Sequence, residues 1–430
     1  MKNFVSFTYP KNIPLSRKKE TVIYKNKAAE QNFQVLKTGT IMITLALAGK
    51  PNCGKSTFFR AATMANAEIA NYPFTTINPN FGIAYVRTTC ACKELNLSCG
   101  HCKDGVRFVP VNLIDVAGLV PDAHKGKGLG NQFLDHLRQA DAILHIIDAS
   151  GGTDSEGNPV GVGNHNPEED IEFLGFEMTM WVYGILEKHW TRLSRQSQGK
   201  GAAIQQGIAE TFAVLGITFE DVRDAELKLK IDLVHATMED LIPLCAEMVK
   251  ISKPMLVVGN KFDEAPANLR ARLAALNVAF ASAASELALR NAEAAHVIQY
   301  LPGDASFRVA DEGTLSPPQK AGLAKIAEVM KVCKGTGVQQ AVDRAVFELL
   351  DMIVVYPVED ENHYCNKQGD VLPDAFLMKK GSNPHDLAFQ VHTEIGKGFL
   401  YAIDARTKMR IKENHLLKDG DIIKIVSTAK

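Results

Sequence analysis

The chain has 430 residues, enough for about three domains of average size. Hydrophobic residues make up 46% and charged residues 23%, an ordinary globular composition that excludes whole-chain disorder and low-complexity fibres. The 48 Lys and Arg residues nearly balance the 49 Asp and Glu residues, so the net charge of −1 predicts no global attraction to nucleic acid. No apolar run reaches the roughly 20 residues of a membrane span, and we expect a soluble, cytoplasmic protein.

The N-terminal segment 1–41 differs from the rest of the chain because basic side chains dominate it. Its first 40 residues contain eight Lys or Arg residues and two Glu residues, with no sustained helix or strand period. We expect a disordered basic extension, either an arm upstream of a true start at Met42 or a flexible arm that touches RNA.

From residue 42 onward, short apolar runs alternate with helical segments, a pattern typical of an α/β protein. A helix is predicted directly after the first strand, over 56–64. Strands of this composition suit a mostly parallel sheet that helices cover on both faces. The predicted strands are 43–48, 108–116, 142–148, 254–260 and 279–283.

A long stretch of helical spacing interrupts the strand pattern. A helix is predicted over 168–193, and a Ser, Gln and Gly-rich break follows it. A further helix is predicted over 224–241, with Pro243 as a break or kink just beyond. Two long helical stretches around a break predict an antiparallel helical hairpin that projects from the sheet domain.

The end of the chain predicts a small α+β module. Strands are predicted over 352–357, 399–404 and 421–427, and a short amphipathic helix over 384–395. The predicted domains are the two parts of the sheet domain at 42–165 and 252–345, the inserted helices at 166–251, and the C-terminal module at 346–430.

A complete G-x-x-x-x-G-K-S phosphate-binding motif follows the first strand and opens the first helix. Its glycines let successive main-chain N–H groups point at a β-phosphate, and the helix N-terminus adds partial positive charge. Lys55 would place a charge between the β- and γ-phosphates, and the Ser56 hydroxyl would bind Mg²⁺. The predicted phosphate-binding residues are Gly49, Lys50, Pro51, Asn52, Cys53, Gly54, Lys55, Ser56 and Thr57.

This motif fits ATP and GTP equally, so the base must be recognised elsewhere. The tetrapeptide N-K-F-D at 260–263 follows a predicted buried strand. The Asp263 carboxylate can accept hydrogen bonds from guanine N1–H and the exocyclic amine, whereas adenine would leave it unpaired at a cost of roughly 1–3 kcal/mol. Lys261 can pack over the base, and a main-chain N–H of 282–284 can reach guanine O6. The predicted base-binding residues are Asn260, Lys261, Asp263, Ser282, Ala283 and Ala284.

Two further segments have the composition of nucleotide-sensing switches. Asp115 ends a predicted strand, where it can hold Mg²⁺ through water, and the N–H of Gly118 can bond the γ-phosphate. In the Y-P-F-T-T segment, Thr76 is favoured over Thr75 as the hydroxyl that completes the Mg²⁺ shell, with Phe74 also at the nucleotide. Loss of that contact after hydrolysis would release the segment.

Four cysteines lie close together as C-x-C followed by C-x-x-C. Four thiolates at this spacing could hold a tetrahedral Zn²⁺ with no open position for chemistry, which makes the site structural. The alternative is a surface loop of reduced thiols, since eight Cys in the whole chain are too few for a disulfide scaffold. The candidate zinc ligands are Cys90, Cys92, Cys99 and Cys102.

Together these motifs resemble an Obg-type GTPase, and the run G-L-V…G-K-G-L-G-N-Q-F-L at 118–134 resembles the YchF-type (Obg-like ATPase) subfamily. The resemblance covers residue 42 to the end. It implies a P-loop NTPase G domain with a mostly parallel sheet, an inserted α-helical hairpin and a C-terminal β-grasp (ubiquitin-like) TGS domain. The Cys-rich loop and the intact motif from Asn260 to Asp263 resemble archaeal members.

The resemblance also bears on catalysis and ions. Leu119 occupies the position where Ras-like proteins carry a water-orienting Gln, which predicts slow intrinsic turnover. His124, just before a Gly-rich segment, is a candidate catalytic residue, and a solvated loop histidine is the alternative. Pro51-Asn52 resembles GTPases that use K⁺, with Asn52 as a ligand.

Three functions stay open from the sequence. The first is a slow GTPase switch on ribosomes or RNA, which the TGS domain implies and a local basic face would support. The second is a nucleotide-gated binding module with incidental hydrolysis, and the third is an ATPase, because many bacterial and eukaryotic members have an altered base motif and prefer ATP.

We expect GTP and GDP as ligands, no membrane contact, and a monomer. The basic residues of the C-terminal module are Lys379, Lys380, Lys397, Lys408, Arg410 and Lys412.

Overall fold

The computed structural model describes residues 42–64, 80–116, 118–119, 137–196, 199–311, 313 and 315–429. The predictions for the basic segment 1–41, for Phe74, Thr75 and Thr76, and for His124 lie outside these residues and stay predictions.

A six-stranded sheet follows the basic segment. Its strands are β1 (Thr44–Ala48), β2 (Phe81–Thr89), β3 (Val106–Asp115), β4 (Ala142–Asp148), β5 (Met255–Asn260) and β6 (Ala279–Phe280). They lie in the order β2-β3-β1-β4-β5-β6, and β2 pairs antiparallel with β3 while the other neighbours are parallel. Every residue of β4 is buried, as expected for a central strand with helices on both faces. The predicted mostly parallel sheet is confirmed.

The sheet differs from the sequence prediction at two strands. The edge strand β2, which forms a long hairpin with β3, is missing from the prediction. Strand β6 has two residues instead of the five predicted, because the Ser282 side chain accepts a hydrogen bond from the N–H of Ser285 and starts a helix.

Helices surround the sheet and fill the interruption between β4 and β5. In chain order they are α1 (Lys55–Thr63), α2 (Ala91–Glu94), α3 (Pro167–Gln196), α4 (Gly201–Phe212), α5 (Phe219–Leu229), α6 (Met238–Ser252), α7 (Ala267–Ala275), α8 (Ala283–Ala294), α9 (Pro317–Cys333), α10 (Val338–Asp343), α11 (Pro384–Val391) and α12 (Thr393–Lys397).

The segment between β4 and β5 contains four helices, α3 to α6, that share one apolar core. Helix α3 follows β4, α6 leads into β5, and the two pack against each other along their length. The single predicted helix 224–241 is wrong, because α5 ends at a left-handed Lys230 and a capping box at Thr237 starts α6. Pro243 does not end a helix: it lies inside α6, where its missing N–H removes one helical hydrogen bond.

The C-terminal module has its own sheet and core. Its strands are β9 (Met352–Val358), β10 (Phe376–Lys379), β11 (Phe399–Asp404), β12 (Met409–Ile411) and β13 (Ile422–Ser427), and the hairpin β7 (Ile298–Gln299) and β8 (Arg308–Val309) precedes it. The order is β10-β9-β13-β11-β12, with β9 and β13 parallel in the centre and the other pairs antiparallel. Helix α11 packs on β11 and β13, which gives the β-grasp arrangement.

Over the described residues, no single helix has the length and hydropathy to cross a membrane. The bent pair Gly201–Leu215 and Phe219–Leu229 passes that test jointly, but most of its apolar side chains belong to the core that α3 to α6 share.

A buried ion pair joins the inserted helices to the loop after β1. The Lys50 ammonium lies 2.7 Å from the Asp170 carboxylate in α3 and donates to the carbonyl of Thr153 at 2.7 Å. His165 contacts the other oxygen of the same carboxylate at 2.9 Å. Burial raises the pKa of Asp170, and the Lys50 ammonium opposes that shift. The position of α3 therefore depends on a charge pair that water hardly reaches.

We expect Asp170→Ala to destabilise the protein by about 3–5 kcal/mol, because Lys50 would be left buried without its partner. Urea denaturation followed by tryptophan fluorescence reports on this region directly, since both tryptophans, Trp181 and Trp190, lie in α3. The control Asp232→Ala removes an exposed ion pair and should cost about 0–1 kcal/mol. Equal midpoints for the two variants would contradict the role of the buried pair.

His145 is a fully buried histidine in the middle of β4, with Ala48 and Val257 beside it on the neighbouring strands. Burial, together with the nearby Lys55 ammonium, lowers the pKa of His145 to about 3. The imidazole is therefore neutral in the folded protein at neutral pH.

This histidine predicts a defined acid sensitivity. Below pH 6.5 the unfolded chain takes up a proton at His145 that the folded chain excludes until about pH 3, so the free energy of unfolding falls as the pH decreases through this window. The slope approaches about 1.4 kcal/mol per pH unit. We expect His145→Asn to lose this part of the slope in urea denaturation between pH 7 and about pH 5. Parallel pH profiles for the two proteins would show that His145 is not excluded from protonation.

Candidate functional site

The predicted phosphate-binding motif forms a loop between β1 and α1 whose shape requires its glycines. Gly49 has φ of 148° and Gly54 has φ of 94°, both in the region that favours glycine. A Cβ atom on Gly49 would collide with the main-chain oxygen of Ile146, and one on Gly54 would collide with the Asn260 side chain. The loop therefore lies directly against the ends of β4 and β5.

The Lys55 ammonium lies inside this loop. It donates to the main-chain oxygen of Lys50 at 2.7 Å and lies 4.0 Å from the Cys53 sulfur. Burial raises the pKa of the Cys53 thiol, whose side chain packs into the protein core. The Lys50 ammonium pairs with Asp170, so only the main chain of Lys50 faces the loop, and its predicted role in phosphate binding stays a prediction.

The two predicted magnesium ligands meet at one point. The Ser56 hydroxyl, in the first turn of α1, donates to the Asp115 carboxylate at the end of β3, at 2.8 Å. A hydroxyl and a carboxylate oxygen are the hard ligands that Mg²⁺ prefers. The pair fits the ion, which when bound would neutralise charge on the β- and γ-phosphates.

The residues after β3 pack against the phosphate loop. A Cβ atom on Gly118 would lie 2.9 Å from the Pro51 nitrogen, so this position also requires close approach. The N–H of Leu119 donates to the Gly49 carbonyl at 3.1 Å, and its side chain is 4% exposed within the core. Leu119 is thus a packing residue with no group that can orient water.

Asn260 connects the phosphate loop to the base-binding segments. Its side-chain N–H donates to the Cys53 carbonyl at 3.0 Å, and its side-chain oxygen accepts the N–H of Ala283 at 3.0 Å. The whole residue is buried. The three predicted segments therefore come together at the carboxyl ends of parallel strands, where ligands of open α/β sheets bind.

Lys261 is held by a carboxylate that the sequence analysis does not single out. Lys261 has φ of 57°, and its ammonium lies 2.7 Å from the fully buried Asp148 at the end of β4. The hydroxyls of Ser150 and Thr153 donate to the same carboxylate at 2.6 and 3.0 Å. This network fixes the lysine stem beside the place of a base.

The other groups predicted to bind the base lie at the edge of the site. Asp263 follows β5 in a turn, with 14% of its side chain exposed and Lys325 4.0 Å away. The N–H of Ser282 donates to the Thr336 carbonyl and that of Ala283 donates to Asn260. Ala284 lies in the first turn of α8, where the helix itself provides no acceptor for its N–H, and its predicted bond to guanine O6 stays a prediction.

The four clustered thiols come together at a different place. The sulfur atoms of Cys90, Cys92, Cys99 and Cys102 all lie within 4.8 Å of one another, between β2 and β3. The remaining cysteines are free thiols elsewhere in the fold.

Sequence reasoning missed the contacts that support the predicted site residues. Asn52, at φ of 58°, donates to the Gly157 carbonyl at 3.0 Å, which ties the phosphate loop to the loop after β4. Asp148 and Asp170 hold the two lysines. The sequence signal for Asp148 is its position as the last residue of a buried strand, which marks the edge where ligands bind.

Three family models match the chain. The model described as 50S ribosome-binding GTPase matches residues 44–172, that of the Obg-like GTPase YGR210-like, G4 motif-containing domain matches 258–360, and that of the TGS domain matches 362–427. The matched segments contain the phosphate loop, the base-binding tetrapeptide and the C-terminal module.

Two relatives match this chain over nearly the whole of their own length. A GTP-binding protein of Methanocaldococcus jannaschii is 48% identical over 90% of this chain and 100% of its own length. The ribosome-binding ATPase YchF of Mycoplasma genitalium is 25% identical over 89% of this chain and 98% of its own.

A solved structure agrees in fold. The crystal structure of a GTP-binding protein from Pyrococcus horikoshii superposes with a TM-score of 0.70 at 39% identity, covering 90% of this chain and 100% of that one. Fold, motifs and full-length relatives thus agree, and the chain belongs to the YchF-type subfamily of Obg-like GTPases, with a P-loop G domain and a C-terminal TGS domain.

Proposed function

We propose that this chain binds GTP with Mg²⁺, hydrolyses it slowly to GDP and phosphate, and acts as a nucleotide-dependent switch on ribosomes. The observation that carries the proposal is the Asn260 side chain, which joins the phosphate loop to the segments that would read a guanine. A purine triphosphate bound there would contact both ends of the site at once.

Guanine selection depends on Asp263. Its carboxylate would accept the N1–H and the exocyclic amine of guanine, and the Ala284 N–H would donate to O6. Adenine offers the opposite pattern, an acceptor at N1 and a donor at C6, so both protein groups would stay unpaired. This complementarity supports GTP as the ligand, although YchF relatives are named ATPases, and ATP is the second candidate.

Slow turnover is expected because the residue after Gly118 cannot activate water. Leu119 is buried and its N–H is used by Gly49. His124 remains the candidate catalytic group, and Asn52 remains the candidate K⁺ ligand through its carboxamide oxygen, since its nitrogen donates to Gly157. Either group would orient the attacking water or neutralise transition-state charge.

We propose the ribosome as partner from the family description and the name of the YchF relative. Action on ribosomes would place the chain in the cytoplasm. We also propose that it acts as a monomer with no membrane contact. The basic side chains of the TGS domain support RNA contact weakly. Lys397 pairs with Glu394 at 3.0 Å and Arg410 lies over the Tyr401 ring at 3.9 Å. The Lys397 pair offsets part of this positive charge within the domain, so we expect a modest salt dependence of binding.

Asp263→Asn tests base recognition by exchanging an acceptor for a donor. GTP binding should weaken by roughly 1–3 kcal/mol, or about 5- to 150-fold in Kd. Xanthosine triphosphate should gain affinity, because xanthine carries a carbonyl where guanine carries the amine, and the Asn amide can donate to it. Competition with a fluorescent nucleotide measures the affinity of both GTP and xanthosine triphosphate. Unchanged GTP affinity in the variant would contradict the role of Asp263.

Co-sedimentation with ribosomal subunits tests the partner. We expect more protein in the subunit pellet with a non-hydrolysable GTP analogue than with GDP, and the difference should vanish in Lys55→Ala, which lacks the phosphate-binding charge. Single-turnover hydrolysis with and without subunits separates a ribosome-coupled GTPase, which should accelerate, from a binding module, which should not. Equal pelleting in all nucleotide states would contradict a nucleotide-dependent switch on ribosomes.

A further inference from the structure

The loop between β2 and β3 gathers four sulfur atoms that the nucleotide site does not use. Cys90 follows β2 directly, Cys92 lies in the short helix α2, and Cys99 and Cys102 follow in the return to β3. The sulfur atoms of Cys90 and Cys99 are 3.8 Å apart and those of Cys92 and Cys102 are 3.5 Å apart. All four lie within 4.8 Å of one another.

These distances identify the kind of centre. Four thiolates bound to one Zn²⁺ with bonds of about 2.3 Å place their sulfur atoms about 3.8 Å apart in a tetrahedron. An iron–sulfur cluster distributes its cysteines over separate iron atoms and would spread the sulfurs farther. The observed separations therefore fit a single ion coordinated by four thiolates.

The backbone around the thiols is held in place for such an ion. The N–H of Cys90 donates to the Gly105 carbonyl at 2.8 Å, which closes the loop, and the N–H of His101 points at the Cys99 sulfur at 3.4 Å. Main-chain N–H donors to thiolate sulfur orient the ligand and offset its charge. Three of the four cysteines are buried and Cys102 is half-buried, so the centre is closed to solvent on most sides.

The same loop is the surface on which the TGS domain rests. Cys90, Cys92 and Cys99 belong to one apolar cluster with Tyr356 of β9 and Leu372, both fully buried.

Polar contacts surround this apolar cluster. The Arg107 guanidinium, at the start of β3, donates to the carbonyls of Leu372 and Pro373 at 3.1 and 2.7 Å. Arg406 of the TGS domain pairs with Glu94 of α2 at 2.7 Å. These contacts place the thiol loop directly against the TGS domain.

We propose that the four thiols hold one structural Zn²⁺, and that this ion fixes the loop on which the TGS domain docks. The ion has no catalytic role, because β3 separates it from the nucleotide site: the thiol loop precedes Val106, and Asp115 stands at the other end of the strand, about 30 Å away at 3.3 Å per residue. The zinc proposal and the GTPase proposal can therefore fail independently, and separate measurements test them.

Metal analysis tests the ion itself. We expect one Zn²⁺ per chain in the purified full-length protein, one in the control Cys333→Ser, and fewer than about 0.1 in Cys90→Ser/Cys99→Ser. Because the double variant could misfold, Co²⁺ exchange into the unsubstituted protein provides a second measurement, with the intense visible absorption of tetrahedral thiolate coordination expected. Three results would overturn the site. They are zinc-free protein with four reactive thiols, a Cys92–Cys102 disulfide in mass spectra, and an unchanged zinc content in the double variant.

Hydrogen exchange tests the docking role. Removal of Zn²⁺ from the unsubstituted protein with a mercurial reagent and a chelator should speed amide exchange in β9 and around Leu372, while α1 and GTP affinity stay unchanged. The same treatment of the Cys333→Ser variant serves as the control. Loss of zinc without faster exchange in β9 would overturn the docking role, and equal loss of protection throughout the chain would show global unfolding instead.

Discussion

The structure depends on the buried side chain of Asn260, which satisfies two main-chain groups of separate segments at once. It accepts the N–H of Ala283 and donates to the carbonyl of Cys53. Loss of either bond would leave a buried polar group unpaired, at roughly 1–3 kcal/mol each. The close packing that brings these bonds within reach also explains Gly54, since any Cβ there would occupy the position of the Asn260 amide. These two hydrogen bonds therefore join the phosphate loop and the predicted base-binding segments into one unit.

Two buried carboxylates extend this unit in different directions. Asp148 binds Lys261 and so orients the base-binding side. Asp170 binds Lys50 and so ties the phosphate loop to the inserted helices. The phosphate loop therefore contacts α3 through a buried charge pair. The thiol loop contacts the TGS domain at the other end of β3, where Arg406 pairs with Glu94.

The sequence predicts the local parts of this molecule well and the distant contacts poorly. The phosphate loop, the pair Ser56 and Asp115 and the sheet follow from short patterns, because glycines, hydroxyls and buried apolar runs act over a few residues. The thiol spacing likewise predicts a cluster that the fold brings together. The ion pair of Lys50 is an example of a distant contact: its partner Asp170 lies 120 residues further along and carries no local signal. Strand β2 is missed because its pairing with β3, which its own sequence does not show, stabilises it. The helix break before Thr237 is missed because a capping box at Thr237 starts a new helix there.

Calorimetric titration of the purified chain with GTP and with ATP, each in the presence of Mg²⁺, tests the central claim most directly. The joined phosphate and base-binding unit predicts one GTP per chain and a weaker affinity for ATP by roughly 1–3 kcal/mol, the cost of the unpaired acceptor. Equal or tighter binding of ATP would contradict guanine recognition by this unit, and the absence of heat with either nucleotide would contradict the site itself.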